Sequence, residues 1–214
     1  MLMSERGLWL ADAAQHQNLG AFVQRVLRLD EAAVIRLRAR GDDAVVAWAA
    51  TGFEVLASRV VGGRVQPSDL CAGADALIGA PRNSDGYLDP GFAMDSVWHG
   101  ALPPDAGFVH FDDVPAAALV DLSERGVSLA REHSGAHGPP PSLLDQEVLT
   151  VSSGEDSVGV PMRCVFALTA MGFLPDPIPG DEVVRVRVTR TWLRIDARYG
   201  SVYRRRGGPI LLLA

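Results

Sequence analysis

Val34-Ile35-Arg36-Leu37-Arg38-Ala39-Arg40 alternates apolar and charged residues with a period of two, the pattern of a strand with one buried and one solvated face. Val183-Val184-Arg185-Val186-Arg187 repeats that pattern far along the chain, and each run opens a strand set holding one tryptophan, Trp48 or Trp192. Before the first run, Leu19, Phe22, Val23, Val26 and Leu27 recur at helical spacing, which predicts an amphipathic helix from about Ala11 to Leu29. After it, Gly41-Asp42-Asp43 is turn chemistry. Ala44–Ala50 and Phe53–Val61 complete a three-strand meander, with Gly52 and Gly62-Gly63 as punctuation. Pro67-Ser68-Asp69 then reads as the start of a short helix carrying Leu70, Ala74, Leu77 and Ile78.

The second half is organised in the same way. Gly107–Phe111 reads as a strand, and a helix from about Pro115 to His133 presents Leu119, Leu122, Gly126, Leu129 and Ala130 on one face. Gly138-Pro139-Pro140-Pro141 reads as a stiff linker. Glu147–Ser152 and Val158–Val160 are strands, and Pro161 opens a helix closed by Gly172. Val183–Thr189, Thr191–Ala197 and Ser201–Arg205 form a second meander. The expected fold is therefore α+β, two helix-plus-antiparallel-meander lobes packed as one body. The lobes span residues 1–80 and 108–214, with an irregular connecting segment over 81–107. A duplication would produce the echo between the lobes, but convergence is the simpler account: V-x-R-x-R is how an arginine-only sequence writes a half-exposed strand.

All twenty basic residues other than histidine are arginine. That excludes Schiff-base and pyridoxal-phosphate lysines, the phosphate-loop lysine and a Ser–Lys nucleophile pair. No signal-peptide core or bilayer-length apolar run is seen, so the expectation is a cytoplasmic protein. Cys71 and Cys164 stand far apart on apolar stretches and read as buried free thiols.

The net charge of −6 conceals a division. Residues 185–206 hold eight arginines and one acid, a charge of +7, while the remaining residues carry twelve arginines against twenty-five acids, −13. Arg185, Arg187, Arg194, Arg204, Arg205 and Arg206, interleaved with Trp192 and Tyr203, are the candidate binding residues. Guanidinium groups beside aromatic rings suit an anionic macromolecule. A pI near 5.3 favours an acidic protein surface over nucleic acid. The competing account pairs these arginines internally with carboxylates.

A second constellation is His99, His110, Asp112 and Asp113, whose imidazoles and carboxylates are metal-ligand types. The structural alternative makes Asp112 or Asp113 the N-cap of the following helix. His133 and His137 lack the glutamate of an HExxH site, and the loop around Gly86 lacks both end ligands of a calcium loop.

Gly100-Ala-Leu-Pro-Pro-Asp-Ala-Gly-Phe-Val-His-Phe-Asp-Asp-Val-Pro115, with Met171-Gly-Phe-Leu174, resembles a family of uncharacterised conserved proteins from GC-rich actinobacteria. The resemblance implies provenance and no activity. The function expected from the residues is a non-catalytic binding or adaptor role, without cofactor, through the arginine strands. The alternatives are a metal-dependent, hydrolytic enzyme using the His/Asp group, and a homo-oligomer whose basic ribbon meets an acidic face of a neighbouring copy.

Overall fold

The computed structural model describes residues 6–79, 86–133 and 140–207. The chain forms two compact units, Met1–Gly52 with Leu56–Ala101, and Phe53–Val55 with Leu102–Ala214. Residues 86–101 thus belong to the first unit rather than to a separate connector. The fold is α+β, each unit combining helices with an antiparallel meander.

In the first unit, β1 (Gly7–Leu10) leads to α1 (Ala13–Leu29), then β2 (Val34–Arg40), β3 (Ala44–Ala50), β4 (Leu56–Gln66) and β5 (Asp69–Gly73). A short α2 (Ala74–Gly79), the two-residue β6 (Tyr87–Leu88) and a 3-10 turn at Asp95–Val97 follow. Asp12 caps α1 by accepting from the Gln15 amide at 2.9 Å, and the helix buries Leu19, Phe22, Val23 and Val26 as its spacing predicts. The strands are ordered β5–β2–β3–β4, all antiparallel.

Gly62-Gly63 does not end a strand. The long β4 passes through it and changes partner there, pairing with β3 up to Gly62 and with β1 from Gly63 onward. Gly63 has φ +152°, and a Cβ on it would stand 2.3 Å from the Trp9 carbonyl oxygen, so the residue must be glycine for β1 to approach. The expected helix at Pro67-Ser68-Asp69 is likewise replaced by β5: Leu70 sits opposite Leu37 in register, and α2 starts only at Ala74. Asp69 receives Arg36 Nε and Nη2 at 2.8 and 2.7 Å, which fixes this register more firmly than the Asp could serve a helix start.

The second unit runs β7 (Val109–Pro115), α3 (Ala116–His133), α4 (Pro141–Asp145), β8 (Glu147–Ser153), β9 (Asp156–Pro161), α5 (Met162–Ala170), β10 (Val183–Val188), β11 (Trp192–Ala197) and β12 (Gly200–Arg205). Its sheet is ordered β7–β10–β11–β12, antiparallel throughout, and β8–β9 is a separate hairpin. Every residue of α5 from Met162 to Leu168 is buried. Gly126 lets α3 lie against it, since a Cβ there would meet Met162 and Phe166 at 2.7 and 2.9 Å. The buried face of α3 is Ala116, Leu119, Ser123, Gly126 and Ala130; Leu129, expected inside, is exposed. The runs Val34–Arg38 and Val183–Arg187 occupy the same place in their units, the first strand of a meander entered from a helix.

Arg163 is the exception inside the α5 core. It is 4% exposed, and its Nη1 donates to the Phe53 carbonyl at 2.8 Å and to Glu54 Oε2 at 2.9 Å, while Nη2 donates to Asp145 Oδ1. Its Nε is buried without a partner. A buried cation depends on its acceptors more than they depend on it, because Glu54 and Asp145 are both exposed enough to be hydrated without it. Asp145→Ala is expected to lower stability by about 1–3 kcal/mol, and Arg163→Met by less; denaturant melts giving the reverse order would contradict this account.

Both cysteines are buried free thiols, as expected. Burial pushes the Cys71 thiol up to about 11 and the Cys164 thiol up to about 12. The thiolate is the reactive form, so at pH 8 neither residue should be alkylated in the folded protein, and both should be in denaturant. Native-state labelling of either would show that the core opens around it.

Candidate binding surface

The registers of the second sheet place most of its charged residues on one face, Arg204 and Asp112 being in the rows of Leu193 and Val186 on the other. One row across the strands reads Asp113 (β7), Arg185 (β10), Asp196 (β11), Ser201 (β12); the next reads His110, Arg187, Arg194, Tyr203. Val184, Val186, Val188, Leu193, Ile195 and Val202 fill the opposite, buried face. Arg187 and Arg194 are directly opposite, a like-charge pair that a sheet tolerates poorly at this spacing. Asp196 resolves it. Its Oδ2 accepts from Arg187 Nε at 2.9 Å and its Oδ1 from Arg194 Nε at 2.6 Å and from the Ser201 hydroxyl.

Most of the arginine block is paired with carboxylates of its own chain, the account that competed with an open binding ribbon. Besides the two on Asp196, Arg204 donates to Asp145 at 3.2 Å, Arg198 donates to Glu182, and Arg185 stands 3.9 Å from Asp113. Three arginines of the block have no carboxylate partner among the described residues: Arg190, Arg205 and Arg206. They share one end of the sheet. Arg190 is in the β10–β11 turn, Arg205 is opposite Trp192 at the start of β11, and the Arg206 amide bonds to the Thr191 carbonyl at 2.9 Å. Arg206 Nη1 also donates to the Thr189 carbonyl at 3.1 Å. Arg190 was not among the residues expected from sequence; its one signal is its place in a turn with no acid nearby in the chain.

The aromatic residues are not open platforms. Trp192 and Tyr203 are each 6% exposed. Arg205 lies over the Trp192 ring at 5.5 Å, and Arg194 lies over Tyr203 at 5.4 Å and over Phe108 at 5.5 Å. The expected pairing of arginine with aromatic is present, but inside the protein.

Two grooves flank the arginine end. One, of about 450 Å³, runs between β7, the β8–β9 turn and the β10–β11 turn and includes Arg190 and Arg206. The other, of about 480 Å³, runs between the β8–β9 hairpin and β12 and includes Arg204, Arg205 and Arg206 with Glu147.

The His/Asp group is not assembled. His99 belongs to the first unit, whereas His110, Asp112 and Asp113 belong to the second. His110 Nε2 bonds to Asp113 Oδ1 at 2.9 Å, and Asp112 Oδ1 accepts from the Asp113 amide at 2.8 Å. Among the described residues no three His, Cys, Asp or Glu side chains gather so as to hold a metal. The N-cap alternative also fails: both aspartates are on β7, which continues to Pro115, and the first amide of α3, that of Ala116, is taken by the Glu182 carbonyl at 2.9 Å. Strand pairing with β10 removed the capping geometry. His137 lies outside the described residues.

Asp196 is the carboxylate with most to hold. Asp196→Ala leaves Arg187 and Arg194 facing each other half-buried and is expected to cost about 1–3 kcal/mol. Asp113→Ala, at an exposed pair, should cost under about 0.5 kcal/mol. Equal thermal shifts for the two variants would show that solvent already screens the inner pair.

The architecture is similar to that of bacterial DNA polymerase sliding clamps. The clamp of Caulobacter crescentus matches with TM-score 0.56 and 15% identity over 96% of this chain and 67% of that one. For the Bacillus subtilis clamp the values are 0.58 and 13%, over 96% and 66%. For a Bartonella birtlesii clamp bound to griselimycin they are 0.56 and 13%, over 97% and 67%. This chain spans about two thirds of the length of each, and at these identities the likeness is one of fold. No curated protein matches the sequence. Residues 3–100 match the family model described as Domain of unknown function (DUF8010), which stops where the first unit stops. Residues 103–209, half of the chain, match the model described as Domain of unknown function (DUF8185), and the chain belongs to that family.

Proposed function

We propose that this protein is a non-catalytic binding scaffold built on the sliding-clamp fold, and that the sheet end carrying Arg190, Arg205 and Arg206 takes an anionic partner. The observation behind this reading is the gathering of those three arginines, without carboxylate partners among the described residues, in a protein that neutralises most of the block with its own acids. An uncompensated cluster in a chain of net charge −6 is a local attraction for anions that the rest of the molecule does not offer.

An acidic protein surface suits this end better than nucleic acid. Single-stranded nucleic acid is held by stacking on open rings, and here the rings lie under guanidinium groups. Duplex DNA asks for a stripe of cations, and the helices supply little of one: α1 carries Arg25 and Arg28 with no acid, but α3 carries Asp121, Glu124 and Glu132 against Arg125 and Arg131, and α2 carries Asp75. DNA is the second reading, favoured by the fold, whose neighbours are described as DNA polymerase sliding clamps. No helix among the described residues is long and apolar enough to cross a membrane.

The test is fluorescence anisotropy of the full chain with labelled polyglutamate and with a labelled DNA duplex of equal charge. The reading expects polyglutamate to bind and the double variant Arg205→Glu, Arg206→Glu to weaken it at least about tenfold. It also expects a steep loss between about 50 and 200 mM salt. Tighter binding of the duplex would move the assignment to DNA, and indifference of both probes to the double variant would end it.

A further inference from the structure

We infer that the groove beside β7 binds an extended peptide segment alternating acidic and apolar residues, laid along the free edge of β7. This rests on the reading above and names its partner more narrowly.

Three features of the groove point the same way. First, it is lined by three consecutive residues of β7, Val109, His110 and Phe111. Successive side chains of a strand point to opposite faces, so a wall using all three presents the strand's edge as well as its side chains. Among the described residues β7 pairs with β10 alone, which leaves the backbone groups of that edge without a strand partner. Second, Val109 is 66% exposed in the groove, beside Val158 and Val188, which are already buried, and a purely charged ligand would leave that valine wet. Third, Arg190 and Arg206 stand at its end with no carboxylate partner among the described residues, although Asp156 is one of the lining residues.

A free phosphate or a single carboxylate would use the arginines but not the apolar lining or the strand edge. An oligonucleotide would use the arginines, but Trp192 and Tyr203 are buried and only His110 and Phe111 are left for its bases. A strand-forming peptide uses all three: alternate apolar residues on the valines, alternate carboxylates toward Arg190 and Arg206, and main-chain bonds to β7. Three residues of β7 span about 10 Å, enough for a three- to four-residue register.

The probe is a synthetic octapeptide alternating Glu and Leu, compared with octaglutamate, against the full chain. Binding is followed by fluorescence polarisation and by amide chemical shifts. The proposal expects the Glu-Leu peptide to bind at least about fivefold tighter than octaglutamate, because only it covers the apolar lining. Amide shifts should move at Val109–Phe111 and Val158. Arg190→Glu, in an exposed turn where the side chain makes no hydrogen bond or ion pair among the described residues, should weaken the peptide about tenfold or more. Arg25→Glu, on the exposed face of α1 in the other unit, should not. If octaglutamate binds as tightly and the β7 amides stay still, the groove assignment is overturned while a charge-only anion surface stands. If neither peptide binds and the Arg205, Arg206 double variant is silent toward every anion, the underlying reading falls with it.

Discussion

Asp196 between Arg187 and Arg194 is the interaction on which the arginine face depends. A lysine-free chain places planar, permanently charged guanidinium groups wherever a strand needs a long polar side chain, and neighbouring strands then bring like charges into direct opposition. One carboxylate accepting from two arginines through different oxygens converts that repulsion into a bridge. The first unit uses the same device, where Arg36 of β2 makes a bidentate pair with Asp69 of β5 and is held still more firmly protonated by it. Each V-x-R-x-R strand is thus neutralised from a neighbouring strand. The carboxylate also fixes which residue lies opposite which, since a one-residue slip would turn it to the other face.

Much of the fold was legible from alternation and helical spacing. The period-two runs became β2, β3, β10, β11 and β12, and the 19–22–23–26 spacing became the buried stripe of α1. The misread elements share a cause. Gly62-Gly63 has turn chemistry and Pro67-Ser68-Asp69 and Asp112-Asp113 have capping chemistry, yet the glycines and the three aspartates are in strands, with Pro67-Ser68 the bend between β4 and β5. In each case a partner distant in sequence decides: β1 for the glycines, β2 for Asp69, β10 for the aspartates. Local propensity is a weak term against a ladder of backbone hydrogen bonds, and the ladder partner is not visible in a window of ten residues.

The candidate site was legible as a charge excess and illegible as geometry. Counting +7 over residues 185–206 located the arginines but not their partners, because Asp145, Glu182 and Asp113 come from outside the block. Asp196, the lone acid within it, was the signal that part of the charge is internal. Trp192 and Tyr203 stand beside arginines, but as buried rings, each covered by the guanidinium opposite it in register. What remains uncompensated is set by position: a turn residue and the last two arginines of the block lie beyond the reach of the acids that serve the middle of the sheet.

The two units also treat their strand edges differently, and this bears on where a partner can enter. In the first unit the outer edge of β5 is closed by its own chain. Cys71 donates its amide to Asp95 Oδ1 at 3.0 Å, and its carbonyl accepts from the Met94 amide at 3.1 Å. Arg6 holds the closing loop, donating to the Cys71 and Gly91 carbonyls. That loop occupies the place another strand would take, a common protection of a sheet edge. In the second unit β7 has no hydrogen-bonded strand besides β10 among the described residues, and the β8–β9 hairpin lies beside it across a groove that Arg190 and Arg206 also line. An open edge with no use is a liability for aggregation, and the acids Asp112 and Asp113 at its far end oppose indiscriminate pairing with other acidic chains. At the near end that opposition is absent: Val109 and the arginines beyond it select for an apolar, anionic strand, so the charge pattern along one edge discourages pairing at one end and admits it at the other.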